Sequence, residues 1–260
     1  MESAPQPSPY GQAFYEYQQA GSSASASEIV PWVTRLVRPT SVVDVGCGTG
    51  SWIAAFQSEG VTDSLGVDGD WVLESELRIP RDRFVPVDLT RTFALPRSFD
   101  LAISLEVAEH LPEQSARGFV ESIVATAPAV LFSAAVPHQG GWNHLNEQWP
   151  EYWASLFKSH HYLPLDCLRP VFWNNPRTRW WYAQNMVLYL RADHPLWSTH
   201  EPSADVPALV HPQNYLARVE ALRDATRDRT LTETVRRMAL DAARVPGKTL
   251  RAVLRRSAAV

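Results

Sequence analysis

The segment Val43-Asp44-Val45-Gly46-Cys47-Gly48-Thr49-Gly50-Ser51-Trp52 constrains this chain more than any other. An apolar run at Val42–Val45 meets three glycines, at alternate positions, and then a helix-like stretch around 50–59. Glycine reaches backbone conformations closed to residues with a Cβ. A strand that turns through glycines into a helix therefore lets main chain approach a ligand closely. In a dinucleotide-binding loop the amides of such a turn face a pyrophosphate at the helix N-terminus. Here the spacing differs, and Asp44 stands in the strand end before the glycines. A carboxylate there disfavours a phosphate and favours a cationic ligand. Cys47 reads as a small buried residue in a tight turn.

The glycine turn sits in an alternating middle section. Apolar runs recur at Val42–Val45, Leu65–Val67, Phe84–Val87, Leu101–Leu105 and Val130–Val136. Helix-like stretches fall around 50–59 and 113–126, with a weaker one near 71–77. A further helix is expected from Glu147 to His160, with Pro150 in its first turn. Late runs at Leu163–Leu168 and Trp181–Leu190 complete a sheet. Strands alternating with helices imply a parallel sheet covered on both faces. The expected fold class is α/β and Rossmann-like: seven mostly parallel strands, helices on both faces and a C-terminal helical extension. Residues 1–27 read as a flexible N-terminal segment, 28–191 as the α/β domain, and 192–260 as a linker and basic helical extension. In the first part, Tyr10, Phe14, Tyr15 and Tyr17 suit either packing on the domain or a lid. GSSASAS at 21–27 reads as a loop ending in a helix N-cap, Ser27. Residues 193–213 carry four prolines and read as the linker; 214–245 read as helix, broken at Pro246-Gly247 with a short helix after it.

Acids at the strand ends sharpen the reading. The second strand ends in Gly66-Val67-Asp68, about 20 residues beyond the glycines, where a carboxylate can accept both hydroxyls of a ribose. The third ends in Val87-Asp88-Leu89, where a carboxylate can receive an amino group of adenine. Phe99-Asp100-Leu101-Ala102-Ile103-Ser104-Leu105 opens the fourth. In order and spacing these elements resemble the class I S-adenosylmethionine-dependent methyltransferases across roughly residues 40–190. The resemblance implies S-adenosyl-L-methionine as cofactor and S-adenosyl-L-homocysteine as product. It implies that Asp44, Gly46 and Gly48 line the methionine and ribose portion. Asp68 would bind the ribose diol, with Gly69 and Asp70 close by. Asp88 and Leu89 would hold the adenine, and Leu105 would lie near the sulfonium.

The acceptor side begins at Glu106-Val107-Ala108-Glu109-His110. On a helical turn Glu106, Glu109 and His110 project together. Two carboxylates and an imidazole on one spot repel or hold a cation, and that donor set suits Mg²⁺ or Mn²⁺, with Zn²⁺ or Fe²⁺ as alternatives. After the fifth strand comes Gly140-Gly141-Trp142-Asn143-His144-Leu145-Asn146-Glu147-Gln148-Trp149. Both segments should open at the carboxyl edge of the sheet. His144 is either a fourth ligand or a general base. The Glu-x-x-Glu-His run with a downstream His resembles the Mg²⁺ site of plant-type small-RNA 2′-O-methyltransferases. The run also resembles ubiquinone-pathway O-methyltransferases. The loop around His144 does not otherwise resemble the RNA enzymes. With Asn146 to Trp153 it is similar to bacterial methyltransferases of glycan pathways, among them actinobacterial sugar O-methyltransferases of polymethylated mannose polysaccharides.

That resemblance implies O-methylation of a saccharide hydroxyl. Adjacent sugar oxygens would chelate a cation held by Glu106, Glu109, His110 and His144, and His144 or His110 would remove the proton. A phenolic or RNA ribose hydroxyl is the alternative acceptor. Six of the ten tryptophans (Trp142, Trp149, Trp153, Trp173, Trp180, Trp181) fall in one 40-residue stretch. Trp149, Trp153, Trp180 and Trp181 read as core packing and Trp142 as a substrate contact. Glu147 and Gln148 are candidates to cap the following helix.

Charge and composition exclude other classes. The net charge of −4 splits into +6 from Arg227 to Val260, with nine Lys/Arg and three Asp/Glu, and −10 over the rest. An acidic body argues against RNA or other nucleic acid as partner. The basic tail is a solvated appendage, with a homodimer or surface role as the alternative. Two cysteines form no disulfide framework. No apolar run is long enough to span a bilayer, and the proline-rich N-terminus lacks the pattern of a secretory signal. A cytoplasmic enzyme is the expectation.

Overall fold

The computed structural model describes residues 12–244. A long helix, α1 (Gln12–Val37), precedes β1 (Ser41–Val45), α2 (Ser51–Ser58) and β2 (Asp63–Asp68). Then follow β3 (Phe84–Pro86), β4 (Leu101–Leu105), α3 (Ala116–Val124), β5 (Ala129–Ser133), α4 (Pro150–Ser159) and β6 (Tyr162–Leu165). Two short helices, α5 (Arg169–Phe172) and α6 (Trp180–Asn185), lead to β7 (Val187–Arg191), and α7 (Pro212–Arg244) follows. The seven strands form one sheet in the order β3-β2-β1-β4-β5-β7-β6. All pairings are parallel except those of β7, which runs antiparallel to β5 and β6. The expected α/β sheet is present.

Alternation along the central strands divides the core into two layers. Val43, Val45, Ala102, Val130, Phe132 and Tyr189 face one side, with Phe119 of α3 and Phe157 of α4. Val42, Leu101, Ile103, Leu131 and Leu188 face the other, with Ile29 and Val33 of α1 and Phe56 of α2. Every residue of β1, β4 and β5 is buried, as a doubly covered parallel sheet requires.

Four local expectations need correction. The GSSASAS stretch is helix, and Ser27 lies inside α1 rather than capping it. Small side chains permit a close approach that outweighs their weak helix propensity. Ser25 and Ala26 are fully buried. A Cβ on Gly21 would lie 2.7 Å from Arg179 Nε. Ser25 Oγ donates to the Gly21 carbonyl (2.8 Å) and accepts from Arg179 N–H (3.0 Å). Second, the run from Trp181 is not one strand, because its first part forms α6 and β7 starts at Val187. Third, the helix after the His144 loop starts at Pro150, and no side chain caps it. Fourth, 193–213 is bonded to the body along its length. Ser203 N–H reaches the Pro164 carbonyl (2.9 Å), Arg169 Nη1 reaches the Pro207 carbonyl (2.9 Å), and Val206 is 2% exposed.

The compact body runs to Asn214, and Tyr215 onward forms a separate unit. Leu216, Leu222, Leu231, Val235 and Met238 of α7 are exposed. The Tyr10 to Tyr17 aromatic side chains, the break at Pro246-Gly247 and the short helix after it lie outside the described residues. Among the described residues no helix is long and apolar enough to cross a membrane.

Candidate active site

Strand order reverses direction between β1 and β4, and the crevice beyond the strand ends at such a switch point is where open α/β sheets bind ligands. Here it is a cleft of about 1000 Å³, its open mouth included. Gly46, Gly48 and Gly50 all have positive φ (85°, 52° and 88°). A Cβ on Gly46 would overlap the Val107 methyls, so the turn needs glycine there on both counts. Val67 carbonyl accepts Gly46 N–H (2.7 Å) and Cys47 N–H (3.1 Å), tying the turn to β2. Cys47 is buried, as expected for a small residue in a tight turn.

Asp68, at the end of β2, holds the turn from the other side. Its Oδ2 accepts Gly48 N–H and its Oδ1 accepts Gly69 N–H, each at 2.7 Å. Burial pushes its carboxyl above the usual range, only partly offset by those two N–H groups. Asp44 is 2% exposed, and among the described residues its Oδ2 has no hydrogen-bond partner. Burial, with the nearby Asp68 charge, raises its pKa well above the ordinary value. Gly46, Gly48, Asp68, Leu89, Leu105, Glu106 and His110 all line the cleft. Asp44, Gly69 and Asp88 are not among the lining residues; Asp88 is exposed, and its Oδ1 accepts the Thr90 N–H (3.0 Å) and hydroxyl (2.6 Å). Gly69 lies against the Trp71 indole, and Asp70 is exposed.

Several lining residues escaped the sequence reading. Ser22 of α1, Trp52 of α2, Trp71 after β2 and Tyr182 of α6 all face the cleft. Only Trp71 carried a signal, since it follows the Asp68-Gly69-Asp70 strand end. Ser22 and Tyr182 meet across 160 residues through a 3.0 Å hydroxyl pair.

Beyond β4 the chain does not continue as a helical turn through Glu106. Glu106 has φ of 57°, and only Ala108–His110 form a single 3-10 turn. The convergence expected from i, i+3 and i+4 spacing is achieved by tertiary contacts instead. Glu109 is fully buried, and among the described residues neither of its carboxyl oxygens has a partner at full hydrogen-bond geometry, although its own N–H, the Ala135 N–H and the Glu106 carboxyl are near enough to affect its pKa. Burial, then the neighbouring Glu106 charge, pushes its pKa well up. Ligand atoms of Glu109, His110 and His144 lie within 4.8 Å of one another. The His110 and His144 rings meet edge-to-face, centroids 4.9 Å apart. His110 has its pKa lowered to about 4, by burial first and then by His144. Glu106 stands outside this trio and is held otherwise: Asn185 Nδ2 donates to Oε1 (3.0 Å) and Gln139 Nε2 to Oε2 (3.1 Å).

The His144 loop is docked by main chain, since Leu145 and Asn146 N–H groups donate to the Glu109 carbonyl (2.7 and 3.0 Å). Glu147 does not cap α4. It folds back to accept His138 N–H (2.7 Å), Gly140 N–H (3.0 Å) and His144 Nδ1–H (2.8 Å). In a neutral imidazole, donation from Nδ1 leaves the lone pair on Nε2. Trp153 is core, 2% exposed against Phe132, whereas Trp142 is 62% exposed.

The methyltransferase-domain family matches residues 14–175. No curated protein matches the sequence significantly. Among solved structures, Streptomyces venezuelae DesVI superposes with a TM-score of 0.52 at 16% identity, covering 69% of this chain and 96% of that one. The sugar N-methyltransferase KedS8 of a Streptoalloteichus species gives 0.50 at 16% identity, covering 74% and 99%. The chain belongs to the class I S-adenosylmethionine-dependent methyltransferases.

Proposed function

We propose that the protein transfers a methyl group to a hydroxyl of a saccharide and uses a divalent cation to do so, for which the carboxylates of Glu106 and Glu109 favour Mg²⁺ and the two imidazoles admit Mn²⁺, Zn²⁺ or Fe²⁺. The observation that carries the cation is Glu109. A fully buried carboxyl with no partner at full hydrogen-bond geometry among the described residues, beside two imidazoles, is costly alone and suits a positive charge. Glu109 and His110 would be ligands, and His144 either a third ligand or the base. Glu106 remains a candidate fourth through the second lone pairs on its oxygens. The saccharide reading draws on the exposed Trp142 at the loop and on the acidic body.

On the donor side, Asp68 would accept the ribose hydroxyls and Leu89 would pack on the adenine. Asp44 would pair with the donor ammonium, whose positive charge offsets the burial and the Asp68 charge that raise its pKa. Asp88 would reach the adenine amino group only through its second carboxyl oxygen. Leu105 and the glycine turn would position the sulfonium. A cation in the trio would supply Lewis acidity toward the acceptor hydroxyl. His144, its ring oriented by Glu147, would take the proton at Nε2 if it is not a ligand. His110, with its pKa lowered to about 4, is a weak base and suits ligation better. Holding the acceptor in line with the methyl would supply much of the rate.

Transfer of labelled methyl to a saccharide panel, with and without EDTA, tests the proposal. Transfer to a sugar hydroxyl is expected, lost in EDTA and restored by Mg²⁺. Full activity in EDTA, retained in the Glu109→Ala, His144→Ala double variant, would remove the cation. Transfer only to amino sugars, phenols or RNA would remove the acceptor assignment.

A further inference from the structure

The six clustered tryptophans do not share one place. Trp173, Trp180 and Trp181 border a second cavity, of about 960 Å³ with its open mouth included, together with Asn174, Thr178 and Gln213. All three indoles are half-buried, unlike the core Trp153. Their positions are set by contacts with one another and with His211. Trp180 meets Trp181 edge-to-face (5.5 Å) and lies nearly parallel to the His211 ring (22°, 6.5 Å). His211 Nε2 bonds the Trp173 carbonyl at 2.9 Å.

Thr178 supplies an independent observation. It is 7% exposed, it lines the cavity, and among the described residues its Oγ1 has no hydrogen-bond partner. A buried hydroxyl in that state costs about 1–3 kcal/mol unless a ligand bonds it. Among the described residues no carboxylate lines the cavity, and Arg179, its guanidinium 5.6 Å from the Trp181 ring centroid, is a lining cation. Indole faces, side-chain amides and an unused hydroxyl together match a pyranose. Its C–H face stacks on aromatic rings and its hydroxyls pair with amides.

The cavity borders the catalytic cleft through α6. Trp180 and Trp181 line the cavity, while Tyr182 lines the cleft and Asn185 bonds Glu106. An α-helix with its side chains is about 10–12 Å across.

We propose that this cavity is a second saccharide subsite, holding a remote unit of an oligosaccharide whose methylated unit lies at the cleft. The proposal rests on the saccharide reading of the catalytic site. Calorimetry with mannotetraose, maltotetraose and cellotetraose tests it directly, independently of catalysis. One tetrasaccharide should bind, about tenfold more weakly in Trp180→Ala and about three- to tenfold more weakly in Thr178→Val. Thr178→Val keeps the side-chain shape, so it decides the matter if Trp180→Ala melts early. In methyl transfer, KM for the tetrasaccharide should rise by the same factors. Its kcat and the KM for the methyl monosaccharide should stay unchanged. No tetrasaccharide binding, or equal binding by wild type and a folded variant, overturns the subsite. If binding depends on Trp180 and Thr178 but no sugar is methylated, the subsite stands and the acceptor assignment fails.

Discussion

Asp68→Asn separates a carboxylate that binds donor from one that merely shapes a loop. Each Asp68 oxygen accepts one main-chain N–H at 2.7 Å, from Gly48 and from Gly69. Each then keeps a second lone pair for a ribose hydroxyl. The amide replaces one oxygen by NH₂. One main-chain N–H then loses its acceptor, a cost of about 1–3 kcal/mol that free and bound protein share. It should show in urea unfolding without ligand and cancel from the dissociation constant. In the complex one ribose hydroxyl loses a charged acceptor, and the other bond loses charge assistance. A hydrogen bond to a charged group contributes about 1.5–3 kcal/mol. The dissociation constant for S-adenosylhomocysteine should therefore rise about 10- to 150-fold by isothermal titration calorimetry. Asp88→Asn is the control. Its carboxylate is exposed and spends one oxygen on Thr90, so the expected change is below about threefold. An Asp68→Asn protein that binds within about threefold of wild type would refute the reasoning. So would an equal loss in Asp88→Asn.

Other expectations follow from the same structure. Gly46→Ala forces a Cβ into Val107 at a φ of 85° and should lower unfolding stability by about 2–5 kcal/mol, read from urea midpoints. Glu147→Gln weakens the acceptor that orients His144, and the apparent Mg²⁺ requirement of transfer should rise about 10- to 100-fold with unchanged donor affinity. Asp100 gives a pH signature. Burial raises its pKa, but hydrogen bonds from the Thr40 hydroxyl and N–H and from Ser41 outweigh that and leave it lowered. A lowered folded pKa contributes stability that is present above the unfolded value of about 3.9 and lost as pH falls through the folded value. Urea midpoints should fall more steeply below pH 4 in wild type than in Asp100→Asn; parallel curves would reject the assignment.

Much of the donor side was legible because its signals are local. Strand periodicity, glycines at alternate positions and acids at strand ends need no distant partner to be recognised. Asp44, Asp68 and the turn sit at the expected sheet edge. The candidate acceptor side could be read only as a set of residue types. Glu109, His110 and His144 do meet. The expected helical turn through Glu106 is absent, because a left-handed residue reverses the chain there. Glu106 is instead held by Gln139 and Asn185, 33 and 79 residues away. Neither amide carried a sequence signal, since an isolated Gln or Asn looks the same on a surface as in a buried network.

By itself the sequence determined the α/β alternation, the glycine-lined strand end and the chemistry available there, all properties of short segments. Tertiary structure decided what long-range packing alone can decide. It made a serine-rich stretch helical by burying it against Arg179 and Tyr182, and it turned Glu147 from a helix cap into a support for His144. It also sent Trp153 into the core while setting Trp173, Trp180 and Trp181 around a second cavity. The physical reason is the same in each case. Burial and hydrogen bonds between residues far apart in the chain outweigh local preferences of a few tenths of a kcal/mol to about 1 kcal/mol per residue.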